Sequence, residues 1–141
     1  IFMRKSIIEI KYKKKLYALI IKRERKFIKK GVDFVTRPKD LIQLGFLNHN
    51  KSYHIKSHIH LKKPRIINYC TEVLLIEKGK VKIIFYDSNK KNIHKDKILK
   101  KGDIIILFQG GHGFKIMGKT QIIEIKQGPY IEDQDKTLIE K

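Results

Sequence analysis

The chain is 141 residues long, which suits a single domain with one core, and its 41% hydrophobic content argues against intrinsic disorder. A lone cysteine, Cys70, excludes an intrachain disulfide, and no apolar run approaches the roughly 18 residues that carry a helix across a bilayer. The formal net charge of +19 asks either for an anionic partner or for a compositional cause.

Both explanations of the charge have support. Lysines heavily outnumber arginines, Ile and Asn are abundant and Trp is absent, the usage of an A/T-rich coding sequence. Bidentate recognition of bases and phosphates favours arginine, and here the basic residues are spread along the chain without grouped aromatics. Nucleic acid therefore ranks last among the partners. The charge would still draw phosphates toward an open pocket. Residues 1–10 are interrupted by Arg4, Lys5 and Glu9 and do not read as a signal peptide, so a cytoplasmic protein without membrane contact is expected.

In chain order, residues 6–12 and 16–22 read as strands around a Lys13-Lys14-Lys15 turn. Residues 23–31 are highly charged and end at Gly31, a loop or short helix. Residues 33–37 form a further strand candidate stopped by Pro38. The apolar stretch 41–47 runs into the turn signal Asn48-His49-Asn50-Lys51. Residues 52–61 alternate as a strand, so His54, His58 and His60 share one face. His54 lies about 13 Å before His58 on an extended chain, too far to join the same first shell. Lys62, Lys63 and Arg65 surround Pro64 in a loop. The clearest hairpin is 72–77, a turn at Lys78-Gly79-Lys80, and 81–86, with Glu72, Leu74 and Ile76 on one face and Val81, Ile83 and Phe85 on another. Residues 87–97 read as a polar loop. Gly102-Asp103 turns into the strand 104–108, Gln109-Gly110-Gly111 is another turn, and His112, Phe114 and Ile116 then share a face. Residues 121–127 form the last strand before Gly128-Pro129. Many short strands with Gly and Asn turns, and no long helical period, indicate an all-β barrel or sandwich.

Two motifs narrow that choice. His58-Ile59-His60 is followed by Glu72, with six residues from Glu72 to Gly79. Gly102 and Gly110 precede His112. This pattern resembles the two motifs of the cupin family: Gly, five residues, His-x-His, three or four residues, Glu, six residues, Gly; then Gly, five residues, Pro, one, Gly, two, His. It departs from them in four places. Eleven residues separate His60 from Glu72, Ser52 stands for the leading Gly, Phe108 stands for the Pro, and His112 arrives one residue early. The resemblance covers residues 43–128. It implies a cupin-type jelly-roll β-barrel with extra N-terminal strands: a single domain of residues 1–141, with strands and a loop over 1–42, the barrel over 43–128 and a tail over 129–141. It also implies a homodimer paired through residues 7–21.

Three imidazoles and a carboxylate, His58, His60, His112 and Glu72, suit a divalent Fe, Mn, Ni or Zn ion, whose affinity falls below about pH 6 as the imidazoles protonate. The basic loop Lys62-Lys63-Pro64-Arg65 sits where a lid over the barrel mouth would sit and suits an anionic, phosphorylated or sugar-like small-molecule substrate. Tyr53, Tyr69 and Tyr86 are candidates for proton transfer or stacking, and Cys70 reads as a small buried residue. Three functions stay open: a metal-dependent cupin enzyme; a metal-free sugar-nucleotide isomerase or epimerase with His58 or His60 as acid or base; and a non-catalytic sugar-binding or sensing module.

Overall fold

The computed structural model describes residues 6–140; the expectations for residues 1–5 and for Lys141 lie outside them. The described chain is all-β, with ten strands, one short 3-10 turn at Arg23–Arg25 and no α-helix. It divides into two compact units, one holding residues 6–25 and 69–140, the other Lys26–Asn68. No helix among the described residues is long and apolar enough to cross a membrane.

The larger unit is built from two antiparallel sheets. The first takes β1 (Ile7–Tyr12), β2 (Lys15–Ile21), β5 (Glu72–Lys78), β8 (Ile104–Leu107) and β10 (Gln121–Lys126) in the order β1-β2-β8-β5-β10. The second takes β6 (Lys80–Tyr86), β7 (Lys97–Lys100) and β9 (Gly111–Ile116) in the order β7-β6-β9. Neither sheet closes on itself. Their inner faces share one core: Ile20, Leu74 and Ile105 from the first sheet meet Ile83, Phe85 and Leu99 from the second. Opposed residues of an antiparallel pair point to the same side. The pairs Ala18–Leu107, Ile20–Ile105 and Leu74–Ile105 therefore set the inner face of the first sheet. Val81, Ile83 and Phe85 set that of the second. The face parities expected from the alternation in 72–76 and 81–86 are those observed.

In β2 and β8 both faces are buried: Leu19, Ile21, Ile104 and Ile106 are as covered as the inward residues. This explains why these two strands read as continuous apolar runs. The turn after β7 is held by Asp103, which is 2% exposed. Its carboxylate accepts hydrogen bonds from the backbone N–H groups of Arg23 (3.1 Å) and Lys100 (2.9 Å) and pairs with the Lys22 ammonium. Gly79 closes the central hairpin at φ +84, where a Cβ would meet the Lys119 carbonyl at 2.4 Å; only glycine fits.

The smaller unit carries a two-stranded sheet, β3 (Gly31–Phe34) with β4 (Gly45–Asn48). Its connecting loop is tied by Arg37 and Asp40, and by Gln43, whose amide donates to the Arg37 and Asp40 carbonyls. The apolar stretch expected over 41–47 becomes a strand only from Gly45.

Besides β3, which covers Gly31–Phe34 in place of the expected 33–37, two stretches differ from the sequence reading. Residues 52–61 were expected as a strand from their alternation, but they form no ladder and every residue from 50 to 70 is exposed. Alternation supplies a two-faced segment; a strand also needs a neighbour for its backbone groups. Conversely, β7 falls where the sequence has only Ile98 and Leu99 between lysines. It exists because the edge of β6 accepts it, with Val81 opposite Leu99.

Candidate functional site

The site grows from the ends of two inward faces. Glu72 is the first residue of β5 and lies opposite Leu107 on β8, so its side chain leaves on the inner face. On its other side it faces Lys126 of β10 in register. His112 is the second residue of β9 and lies opposite Phe85 of β6, so it also points inward, followed by Phe114 opposite Ile83. The two inner faces meet here: His112 Nε2 is 3.0 Å from Glu72 Oε2, with the side chains 27% and 17% exposed. The imidazole stands edge-on to the Phe114 ring at 5.5 Å between centroids.

The electrostatics follow from the geometry. The hydrogen bond from His112 holds the Glu72 carboxyl below its ordinary value of 4.5, outweighing the opposing effect of burial; the charges of His112, Lys126 and Lys136 act in the same direction. Cys70, expected to be buried, is exposed just ahead of β5, with its Sγ 3.5 Å from the Gln127 carbonyl. Desolvation first, then the Glu72 carboxylate, push its thiol up, away from the reactive thiolate. Tyr17 is buried, and desolvation followed by the charge of Asp87 raises its phenol. Gly110 lets the chain pass this ring: at φ +82 its Cβ would sit 2.4 Å from Tyr17 Cε2.

The other expected site residues fall elsewhere. His58 and His60 belong to the smaller unit, exposed on the extended segment, with their rings 5.1 Å apart and His58 Nδ1 at 2.9 Å from the Lys56 carbonyl. Lys62, Lys63 and Arg65 are exposed on the same segment. Tyr53 stacks on His49 at 4.1 Å with an interplanar angle of 3°, and the two line an open groove with Lys30, Gly31 and Asn50. Sequence reasoning took His49-Asn50 as a turn and had no signal for this stack. Tyr69 is exposed. Tyr86 donates to Glu140 at 2.8 Å, which raises its phenol and leaves it a poor proton donor to a ligand.

Within the larger unit the structure joins Glu72 to His112, and within the smaller unit it brings His58 beside His60. Among the described residues no group of three or more His, Cys, Asp or Glu is gathered to hold a metal. A catalytic metal takes about three protein ligands; Glu72 and His112 supply two, and no step below is routed through an ion. No protein-family model, curated protein or solved structure matches the chain.

Proposed function

We propose that this chain is a cupin-type pocket protein that binds a small, polar, anionic metabolite and moves a proton on it through His112 and Glu72. The observation that carries this reading is the 3.0 Å contact between His112 Nε2 and Glu72 Oε2 across the two facing sheets. A carboxylate accepting Nε2–H fixes the imidazole tautomer and leaves Nδ1 as the basic atom. The same carboxylate stabilises the imidazolium that forms when Nδ1 takes a proton. This is the equipment for abstracting a proton beside a carbonyl and returning it to a neighbouring carbon, the chemistry of a keto-sugar isomerase or epimerase.

The anionic preference is supported by Lys126, which opposes Glu72 in register, and by the net charge of +19. A phosphate or diphosphate on the substrate would supply the matching charge, as in a sugar nucleotide. In the jelly-roll reading the two sheets of the larger unit stand for the two walls of the barrel, with His112 and Glu72 at its mouth. The base is then His112, in place of the His58 or His60 that the motif suggests.

The test is solvent exchange. A keto-sugar nucleotide incubated with the protein in D2O is expected to gain deuterium beside its carbonyl, and His112→Gln to slow that exchange by about 10²–10⁴-fold. Saturable binding of the sugar nucleotide without exchange would leave a recognition module. Neither binding nor exchange across a panel of keto-sugar nucleotides would sink the reading.

A further inference from the structure

A segment without ladder partners and an unpaired edge occur in the same chain. Drawn out as a strand, residues 53–61 would place Tyr53, Ile55, Ile59 and Leu61 on one side and His54, Lys56, His58 and His60 on the other. Ile59 is 88% and Leu61 83% exposed, far from the usual place of such side chains. The edge is β9. Among the described residues it pairs only with β6, and it ends the sheet β7-β6-β9.

The outer side of β9 carries Gly111, Gly113 and Lys115, and it is open at Gly113. His112 and Phe114 point inward, so Gly111 and Gly113 lie on the outer side, where a Cβ on Gly113 would find only Tyr86 Cε2 at 3.8 Å. Glycines in a strand mark places where another chain can approach closely.

Charge is complementary too. Residues 50–70 hold five cations, Lys51, Lys56, Lys62, Lys63 and Arg65, and no acid. Four of the chain's 14 acids, Glu132, Asp133, Asp135 and Glu140, lie in the tail. That tail is tied beside the start of β9. Tyr86 donates to Glu140, Lys90 Nζ donates to the Leu138 carbonyl at 3.1 Å, and Ile139 fills the space over Gly111.

We propose that residues 53–61 of one protomer add as a fourth strand to the free β9 edge of a second copy, reciprocally. The apolar side of the arm then lies beside Gly113 on the outer face of the sheet, and its histidine side lies on the face of His112. Each copy holds one arm and one edge, as a reciprocal two-fold exchange requires. The interface differs from the pairing through residues 7–21 that the family resemblance implies, and it stands apart from the proton chemistry proposed above.

Two measurements test it. Wild-type protein is expected to sediment as a dimer that weakens with salt. Ile59→Pro, on an exposed segment outside any ladder, is expected to weaken association by roughly tenfold or more while the monomer stays folded. In a Cys70→Ser background, a short bis-maleimide is expected to link Ser57→Cys in one chain to Gly113→Cys in another when the two single variants are mixed. A wild-type protein that stays monomeric, an Ile59→Pro variant that dimerises unchanged, or a link that forms only within a doubly substituted chain would each overturn the proposal.

Discussion

Glu72 and His112 form the pair on which the chemistry turns, and its pH behaviour has a definite sign. Glu72 titrates below its ordinary 4.5 in the folded chain. Its contribution to stability is therefore complete above about pH 4.5 and is lost as pH falls through the lowered value. Urea unfolding of wild type and Glu72→Gln should converge in acid and diverge above it; parallel curves across that range would mean that the pair contributes nothing to the fold. Cys70 carries a second expectation at this scale. Its raised thiol should alkylate more slowly than a free cysteine at mildly alkaline pH, although the residue is exposed. A rate equal to or above that of the free amino acid would contradict the effect of Glu72 beside it.

Among the elements, two turns hold the sheets in register. Asp103 receives two backbone N–H groups and an ammonium from three positions in the chain. Asp103→Ala should lower stability by about 2–3 kcal/mol, since the buried donors lose a charged acceptor; a denaturation midpoint shift that small surface changes also produce would show the node to be dispensable. Gly110→Ala should cost about 1–3 kcal/mol for the positive φ alone, with further loss from the clash against Tyr17. The strands themselves vary in how far they can be read from the chain. β1, β2, β5, β6, β8, β9 and β10 lie in stretches whose apolar spacing marks them. β7 has two apolar residues and is made a strand by β6. The segment 52–61 has the spacing of a strand and no neighbour to make it one.

The whole molecule comprises a β-sandwich and a smaller unit that ends in a cationic, exposed arm. Trypsin should cut first within 51–65, where lysines and Arg65 lie on chain free of ladder bonds. If the arm is exchanged, wild type at dimer-forming concentration should resist this cleavage and Ile59→Pro should not. Equal cleavage of both would remove the support for exchange. The charge of +19 acts at the same scale: it opposes association in general, so a dimer needs a local match of the kind that the acidic tail offers to the arm.

The alternation of residues by itself determined the all-β class and the side to which each strand turns its apolar residues, including the shared parity of Glu72 with Leu74 and of His112 with Phe114. Parity is a property of the extended backbone and needs no partner. Only the tertiary structure decided that β5 and β9 stand on facing walls, so that Glu72 meets His112. Convergence depends on which edges pair and in what register, and that is settled by burial and hydrogen bonding between segments far apart in the chain.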